Sequence, residues 1–500
     1  MNENSSYTEK NSSNRDKHTR TKIVCTIGPA SSNIETLRNM VSAGMDVVRL
    51  NFSHGSHESH KKTFNLIKNV SKDLGVLIDL SGPKFRIGEV KEAFDIEKGD
   101  KVILTSETIV GDKTRISVNH PNLPQEVQAG HMLYINDGLV GLKVEKITGN
   151  DIHCICVIGG PISSRKGINA PETPVTLYFP TEKDMIDAKF ALTLKPDFFA
   201  CSFVRRAEDL APLRKMLDDN YDDSVKLIAK IEHRDALNNI DEILDAADGI
   251  MVARGDLGIE IPTEDVPIIQ KEIISKCNEI GKPVITATQM LESMTINKRP
   301  TRAEASDVSN AVIDGTDAVM LSGETATGRY PVETINFMDK IACRAEKLLI
   351  ERIALDSRKL YREKSISEVL GHDCAYTVKK LPDIKAIIAI TRTGSTARLI
   401  SKYRPNVPIL AATSVEATAR QLQLSWGIVP IKIPVCTSTD QLILYSISNA
   451  LQQGLVIEND LVLIILGSIL GIPHQTNVMT ILNVGDVLTV SQGLNIKEQN

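Results

Sequence analysis

Cationic, acidic and hydroxyl side chains recur immediately after short apolar runs of this sequence. Grouped by the run they follow, they are Arg49, Asn51, Ser53 and His54; Asp79, Lys84 and Arg86; Lys230 and Glu232; Arg254, Gly255 and Asp256; Thr288 and Gln289; and Ser322 and Glu324. If the runs are parallel strands of a barrel, these side chains meet at one mouth, where the strands have their C-terminal ends. Several cations beside several acids indicate a site for an anionic, metal-bound substrate.

Glu232 and Asp256 are the best candidates for a divalent metal site. Two hard carboxylate oxygens from adjacent strands, with other positions left open, suit Mg2+ or Mn2+ completed by substrate and water. Lys230 lies two residues before Glu232, so both point to one side of an extended strand, where the lysine is suited to neutralise a transferring phosphoryl group. The alternatives are two ordinary strand-end carboxylates and a buried ion pair between Lys230 and Glu232.

Two backbone breaks add to this picture. The stretch VARGDLG supplies small, flexible backbone before a helix, and N–H groups at a helix start bind carboxylate or phosphate oxygens. The stretch VLIDLSGPKFRIG leaves an apolar strand on Asp79, breaks at Gly82-Pro83, and returns Lys84 and Arg86 beside the carboxylate. For the second stretch, a surface turn with solvated charges is the alternative.

Eight short apolar, β-branched runs stop abruptly on polar or glycine residues, as strands do. In order they are TKIVCTIGPAS from Thr21, MDVVRLNFSHG from Met45, VLIDLSGPK from Val76, DFFACSFVRR from Asp197, VKLIAKIEHRD from Val225, DGIMVARGDLG from Asp248, PVITATQM from Pro283 and DAVMLSGETATG from Asp317. Amphipathic, helix-like segments lie between most of them. This alternation predicts an α/β fold, and eight such units favour a (β/α)8 TIM barrel over an open sheet.

The remaining segments predict two further domains and a tail. Short alternating strands from residue 83 to 179 predict an all-β lid domain inserted after the third strand of a catalytic barrel formed by residues 19–82 and 180–352. Residues 353–500 again alternate apolar runs with helix-like segments, which predicts a C-terminal open α/β regulatory domain. The polar, Asn- and Ser-rich residues 1–18 predict a disordered tail.

Composition excludes several classes of function. The 500 residues are 42% hydrophobic and 24% charged, with a mean hydropathy of -0.08. A net charge of -5 and a pI near 6.1 argue against a general nucleic-acid binder. The longest apolar run is too short to cross a bilayer, so we expect a cytoplasmic protein with no membrane partner. The eight cysteines show no CxxC spacing, and Cys154 and Cys156 are expected on alternate faces of a strand.

With these segments in place, the chain resembles the pyruvate kinase family from Thr21 to about Val490. The motifs that carry the resemblance are TKIVCTIGPAS, LNFSHGSH, MVARGDLGIEI, ATQMLESM, RPTRAEASDVSNAV and LSGETATG followed by YP. The resemblance implies the last step of glycolysis, phosphoryl transfer from phosphoenolpyruvate to ADP that gives pyruvate and ATP. It also implies Mg2+ or Mn2+ as cofactor and a homotetramer.

The same resemblance implies a role for individual residues. Arg49 and Lys230 would hold the transferring phosphoryl group, Glu232 and Asp256 the divalent metal, and the turn of Ala253, Arg254, Gly255 and Asp256, with Thr288, the substrate carboxylate. Ser322 lies where the family relays a proton to the enolate. Asn51, Phe52, Ser53, His54, Arg86 and the lid residue Lys166 would contact the nucleotide, and the lid would exclude water.

Many members of the family also require K+, held by the counterparts of Asn51, Ser53, Asp79 and the backbone carbonyl of residue 80. Those members usually carry threonine at position 80 and glutamate at position 84, where this chain has Leu80 and Lys84. An ammonium group on a flexible stem is a compact point charge. We therefore expect Lys84, together with Asp79, to replace the monovalent cation, so that K+ is not required.

In this family the last domain often binds a phosphorylated effector. The turn formed by Thr391, Arg392, Thr393, Gly394, Ser395 and Thr396 offers hydroxyls and N–H groups for phosphate, and a plain capped helix start is the alternative. The later loop GSILGIPHQTN departs from members that bind fructose 1,6-bisphosphate, because Ile469, Leu470 and Ile472 cannot contact phosphate through their side chains. A sugar monophosphate, a nucleotide, or no effector at all stay open.

Two other functions are alternatives. A metal-dependent lyase acting on oxo-acids would share the metal carboxylates but would need neither a lid nor the cations Arg49, Lys230 and Arg86. A catalytically inactive relative that serves as a binding protein is the second, although all the expected strand-end groups are present. Formation of ATP from ADP separates an active kinase from both.

Overall fold

The first barrel strands and helices form where the apolar runs predict them. The computed structural model describes residues 19–173, 178–220, 224–355, 365–467 and 476–493. The chain begins with β1 (Lys22–Thr26), α1 (Ile34–Ser42), β2 (Val47–Asn51), α2 (His57–Val70) and β3 (Gly75–Asp79). The side chains of Asn33 and Ser56 cap the two helices by accepting backbone N–H groups of their first turns. The predicted tail, residues 1–18, lies outside the described residues.

An all-β domain follows β3 directly. Its elements are β4 (Phe94–Ile96), β5 (Lys101–Thr105), β6 (Arg115–Ser117), α3 (Leu123–Glu126), β7 (Met132–Ile135), β8 (Val140–Thr148), β9 (Asp151–Ile158), β10 (Gly160–Ile162) and β11 (Ile168–Asn169). Six strands form one sheet in the order β11-β7-β8-β9-β5-β6, and β10 pairs with β4. The domain has its own apolar core, which includes Leu104, Leu133 and Ile152.

The chain then returns to the barrel. This part contains α4 (Glu182–Leu192), β12 (Phe198–Cys201), α5 (Ala211–Asp219), β13 (Lys226–Ile231), α6 (Arg234–Asn238), α7 (Ile240–Ala246), β14 (Gly249–Ala253), α8 (Arg254–Glu260), α9 (Val266–Ile280), β15 (Val284–Ala287), α10 (Arg302–Asp314), β16 (Ala318–Leu321), α11 (Gly323–Ala326) and α12 (Pro331–Leu355). Eight parallel strands close in the order β1-β16-β15-β14-β13-β12-β3-β2. The predicted TIM barrel is therefore confirmed, and the inserted domain leaves the pairing of β3 with β12 intact.

Four aspartates fasten the N-terminal end of the barrel, each just before a strand. Each carboxylate accepts the backbone N–H of a neighbouring strand: Asp46 from Ile23, Asp197 from Val76, Asp248 from Leu227 and Asp317 from Val284. N–H groups at a sheet end would otherwise be left without a partner. These aspartates fix the strand register on the side of the barrel opposite the predicted mouth.

The last domain is an open sheet with helices on both faces. Its elements are α13 (Ile366–Lys380), β17 (Ile384–Ile390), α14 (Ser395–Ser401), β18 (Ile409–Thr413), α15 (Glu416–Leu422), β19 (Ile428–Lys432), α16 (Thr439–Gln452), β20 (Leu461–Leu466), β21 (Val478–Asn483) and α17 (Val484–Gly493). The strand order is β19-β18-β17-β20-β21, and only the pairing of β21 with β20 is antiparallel. Residues 468–475, which hold most of the loop compared above with bisphosphate-binding members, lie outside the described residues.

This C-terminal domain covers the N-terminal end of the barrel. Leu424 packs with the apolar side chains inside the barrel, among them Leu77 and Met251. The buried guanidinium of Arg404 donates to Asp317 at 2.9 Å and to Asn278 at 2.8 Å. The domain therefore closes the barrel at the end opposite the predicted mouth.

Replacement of Arg404 by methionine is expected to lower the free energy of unfolding by about 3 kcal/mol, because it leaves the buried Asp317 carboxylate without its cation. The matched control is Lys432→Met, which removes an exposed ion pair to Asp73 at the same domain boundary and should cost less than about 1 kcal/mol. Guanidinium unfolding followed by far-UV circular dichroism measures both. Equal losses for the two variants would contradict the role given to Arg404.

Two smaller findings complete the fold. Cys154 and Cys156 are both buried in β9, so the expectation of alternate faces was wrong: residues two apart in a strand point to the same side. All eight cysteines are free thiols. No helix in the described part of the chain is long and apolar enough to span a membrane.

Candidate active site

The predicted site residues continue the inward-facing rows of the barrel. Side chains alternate between the two faces of a strand, so residues two positions apart point to the same side. Val47, Leu77 and Ile228 lie inside the barrel. Two positions later in the same strands, Arg49, Asp79 and Lys230 therefore also point inward. The apolar layer thus fills the middle of the barrel. The charged layer directly above it forms the floor of the mouth.

Asp79 is the centre of this charged layer. Its carboxylate accepts from Arg49 Nε at 2.7 Å and lies 3.1 Å from Lys230 Nζ, and it is 1% exposed. Lys230 also donates to Ser202 Oγ at 2.7 Å. The two cations predicted to hold a phosphoryl group are therefore brought together by one buried carboxylate.

Electrostatics keep Asp79 and Lys230 charged. Burial would raise the pKa of Asp79, but Lys230 and Arg49 outweigh it and hold that pKa below the ordinary value. Burial would likewise lower the pKa of Lys230, but the carboxylates of Asp79 and Glu232 raise it above the ordinary value. Lys230 is thus an ammonium ion at neutral pH.

Lys230 also contacts Glu232, one of the two carboxylates proposed to bind a metal. Glu232 Oε1 is 3.0 Å from Lys230 Nζ, and Oε2 accepts the N–H of Phe203 at 2.8 Å, so the buried ion pair that was the alternative reading is present. Burial raises the pKa of Glu232, and the nearby charge of Asp256 adds to the rise. Two oxygen donors that repel one another in this way fit a hard divalent cation. The described ranges hold no group of three or more His, Cys, Asp or Glu side chains that could bind a metal ion, and a site built on Glu232 and Asp256 stays a prediction.

The first turn of α8, which follows β14 directly, faces the end of β15. Gly255 N–H donates to Thr288 Oγ1 at 2.8 Å, and Thr288 itself has a left-handed backbone with φ of 66°. The guanidinium of Arg254 points away, to Asp307 at 2.7 Å and to the carbonyl oxygen of Thr288 at 2.7 Å. Arg254 therefore contributes its backbone to the mouth, while its side chain braces the two loops.

Ser322 lies directly after β16, at the same end of the barrel. Its N–H donates to Glu324 at 2.7 Å, and Glu324 also accepts the N–H of Leu291 at 3.1 Å. Glu324 is buried and links the loops after β15 and β16. Its place here is structural support for the turn that carries Ser322.

The predicted nucleotide residues form a turn after β2 and one edge of the lid. Asn51 Oδ1 accepts the N–H of Ser53 at 3.0 Å, whereas the Phe52 ring is buried against His60 with 4.1 Å between ring centroids. Phe52 thus offers only its backbone. Burial lowers the pKa of His54, and the charges of Arg86 and Arg49 lower it further.

The two cations predicted to contact the nucleotide from the lid are Arg86 and Lys166. Arg86 pairs with Gly167 as an antiparallel bridge and donates from Nη1 to the carbonyl oxygen of Arg165 at 3.1 Å. Lys166 lies between these partners, and its carbonyl oxygen accepts the N–H of Ile87. Arg86 and Lys166 therefore lie on neighbouring segments that are joined by backbone hydrogen bonds, and their contact with a nucleotide stays a prediction.

Lys84 does not reach Asp79. Its ammonium lies 2.6 Å from Asp256 Oδ1 and 3.3 Å from Asp137 Oδ1 of the lid, because Asp79 is already taken by Arg49 and Lys230. Burial lowers the pKa of Lys84, but Asp256 and Asp137 outweigh it and raise that pKa above the ordinary value. Leu80 is fully buried, and its carbonyl oxygen accepts from Ser202 Oγ at 2.6 Å. Lys84 is thus a charged group of the mouth that faces the predicted metal carboxylate.

Two residues of the site, Ser202 and Thr26, were not predicted from the sequence. Ser202 bonds Lys230 and the Leu80 carbonyl, and Thr26 Oγ1 accepts from Arg49 Nη1 at 2.9 Å. Both follow the rule used for the other residues, since Thr26 is the last residue of β1 and Ser202 follows β12. Small hydroxyl residues at strand ends were the available signal.

The residues of the candidate effector turn bond one another and two residues outside it, Thr418 and Thr476. Thr391 Oγ1 accepts the N–H of Gly394 at 3.0 Å, the hydroxyls of Thr393 and Ser395 are 3.1 Å apart, and Thr396 bonds Thr476 at 2.8 Å. The carbonyl oxygen of Arg392 accepts from Thr418 at 2.8 Å. Gly394 precedes α14 without any side-chain cap, so these bonds stabilise the turn before the helix, and phosphate binding at Thr391–Thr396 stays a prediction.

Comparisons with known proteins agree with this geometry. Residues 18–335 match the family model of the pyruvate kinase barrel domain, and residues 368–482 match that of the pyruvate kinase alpha/beta domain. The chain is 44% identical to the pyruvate kinase of Geobacillus stearothermophilus over 485 residues, which cover 96% of this chain and 82% of the relative. It is 43% identical to that of Sporosarcina psychrophila, with 95% and 82% covered, and 44% identical to that of Staphylococcus aureus strain MRSA252, also with 95% and 82% covered. A barrel mouth of this composition and these matches over both domains lead to one conclusion: the chain belongs to the pyruvate kinase family.

Proposed function

We propose that the protein transfers the phosphoryl group of phosphoenolpyruvate to ADP at the barrel mouth, giving pyruvate and ATP, and that it does so without K+. The observation that carries the proposal is the buried cluster in which Asp79 holds Arg49 and Lys230 beside Glu232. Two fixed cations next to a carboxylate pair match the charge distribution of a transferring phosphoryl group with its metal.

Arg49 and Lys230 bind the phosphoryl oxygens in this proposal. Asp79 orients both, and its own negative charge keeps Lys230 protonated. Because the cations are fixed before substrate arrives, little reorganisation opposes the gain of charge stabilisation in the transition state. Glu232 and Asp256 would hold Mg2+ or Mn2+, which when bound neutralises phosphate and carboxylate oxygens of the substrate.

The substrate carboxylate and the enolate face the opposite loops. The Ala253–Asp256 turn and Thr288 would position the carboxylate, with Arg254 bracing that turn through Asp307. Ser322, at the end of β16, would pass a proton to the enolate carbon to form pyruvate. Its turn is held by the buried Glu324.

ADP would bind between the turn after β2 and the lid. Asn51, Ser53, His54 and the backbone of Phe52 line one side, and Arg86 and Lys166 supply positive charge from the other. The lid would exclude water, which otherwise competes with ADP for the phosphoryl group. The contact of Lys84 with lid residue Asp137 and with Asp256 of α8 supports a lid that closes directly over the metal carboxylates.

Lys84 is proposed as the built-in replacement for a monovalent cation. It carries its charge into the mouth 2.6 Å from Asp256, and the fully buried Leu80 occupies the position beside Asp79 where a threonine hydroxyl is usual. A tethered ammonium supplies the positive charge without the entropic cost of binding a free ion. The structure supports this arrangement through Asp256 rather than through Asp79.

Formation of ATP tests the reaction itself. We expect ATP and pyruvate in equal amounts when phosphoenolpyruvate, ADP and Mg2+ are all present, and neither product when any one is left out. Pyruvate released from an oxo-acid without ADP would instead favour a lyase. A folded protein that forms neither product would favour an inactive relative.

A further inference from the structure

The first turn of α4 contacts both loops that flank the proposed nucleotide site. Lys183 Nζ donates to the carbonyl oxygen of Phe52 at 3.2 Å and to Ser81 Oγ at 3.2 Å. Ser81 Oγ also donates to the same Phe52 carbonyl at 3.2 Å. Phe52 belongs to the turn after β2, and Ser81 to the loop after β3 that leads into the lid. One ammonium group therefore joins the two loops.

The position of this ammonium group is set by a buried anion. Asp187, one helical turn after Lys183, pairs with Nζ and also accepts from His57 Nε2 at 2.7 Å. The His57 ring stacks on Phe190 of the same helix, with centroids 4.1 Å apart and planes 3° from parallel. The Asp187 side chain is 6% exposed, so it is fixed by packing. All three hydrogens of the Lys183 ammonium thus have acceptors in defined places.

Asp184, the next residue in this turn of α4, is hydrogen-bonded to the start of the lid. Asp184 Oδ1 accepts the N–H of Gly82 at 3.0 Å, and Oδ2 accepts from Thr181 at 2.9 Å. Gly82 has a left-handed φ of 67°, and a Cβ added there would lie 2.6 Å from Ser202 Cβ, so this approach requires glycine. The fully buried Asp184 therefore fixes the loop that Lys183 contacts.

We propose that Lys183 is a positioning residue for ADP: its ammonium holds the Asn51–His54 turn against the Leu80–Gly82 loop, and thereby sets the affinity of the nucleotide site without touching substrate. This inference rests on the proposed function, because it takes the Asn51–His54 turn to be the nucleotide side of the mouth. Arg49, Lys230 and the metal carboxylates make no contact with Lys183, so phosphoenolpyruvate should be indifferent to it.

Lys183→Met tests the inference, with ADP affinity read by titration calorimetry and by steady-state kinetics. The Lys183 side chain is 59% exposed, so the variant should fold, and the expected rise in the dissociation constant and KM of ADP is about fivefold, equivalent to about 1 kcal/mol. KM for phosphoenolpyruvate should change less than twofold. Lys183→Arg, which keeps the charge and the donors, should recover ADP affinity to within about twofold of the unmodified protein.

Lys189→Met is the matched control, because it removes an exposed lysine from the last turn of the same helix. It should leave both KM values unchanged. The inference is overturned if Lys183→Met leaves ADP affinity unchanged, or if it weakens both substrates equally. Calorimetry separates this result from failure of the proposed function, since ADP binding can be compared between variants even if no pyruvate is formed.

Discussion

Replacement of Lys230 by methionine is expected to lower kcat for pyruvate formation by about a thousandfold. A fixed charge or donor aimed at the transferring group is worth about 10^2 to 10^3 in kcat, and cations at a phosphoryl group reach larger values. Lys230 is buried, is held by Asp79, Ser202 and Glu232, and stays protonated at neutral pH. Methionine keeps the unbranched shape of the side chain but has no charge to place on the phosphate.

The effect should be confined to the chemical step. KM for ADP should change little, because the nucleotide turn after β2 does not contact Lys230. Lys226→Met provides the control, since Lys226 begins the same strand at the end of the barrel away from the mouth and its loss should leave kcat within about twofold. Near-normal kcat in a folded Lys230→Met variant would remove the central cation from the mechanism.

The second large effect is expected from Lys84→Glu, which should create a K+ requirement. Without K+, the rate should fall about 100-fold, equivalent to about 2.7 kcal/mol. Two unit charges about 4 Å apart interact by about 4 kcal/mol near a protein surface, so reversing this charge beside Asp256 is sufficient for such a loss. Added K+ should then raise the rate of this variant at least about tenfold.

Two controls separate the local effect from a general one. Lys84→Met removes the charge without reversing it, and should lose rate without K+ by a smaller factor than Lys84→Glu. Lys91→Glu reverses the charge of an exposed lid lysine that pairs with Asp112, and should show no response to K+. A Lys84→Glu variant that stays fully active without K+, or that K+ cannot restore, would show that Lys84 does not stand in for the ion.

The barrel and the location of its mouth could be predicted from sequence because they depend on local patterns. Near-continuous apolar runs that end on Asp79 or Lys230 indicate parallel strands, and alternation along each strand places these side chains inside. Which cation meets which carboxylate depends instead on strand neighbours. Asp79 meets Lys230 across β12, a contact between residues 151 positions apart that no local pattern reports.

Lys84 and the C-terminal domain show the same limit. The sequence places Lys84 five residues after Asp79, yet the Gly82-Pro83 break turns it toward Asp256 on the opposite side of the mouth. Leu424 and Arg404 look like ordinary residues of an open-sheet domain, but they close the far end of the barrel. The partner of Lys84 depends on the direction of a turn, and the partners of Leu424 and Arg404 depend on a contact between domains. Both are set by tertiary packing.

The most direct test of the account is the initial rate of pyruvate formation from phosphoenolpyruvate and ADP with Mg2+, in tetramethylammonium chloride and in KCl at matched ionic strength. We predict the same rate in both salts, within about twofold. A rate that appears only in KCl would leave the phosphoryl transfer in place and contradict the role of Lys84. No pyruvate in either salt would contradict the catalytic role proposed for the cluster of Asp79, Arg49, Lys230 and Glu232.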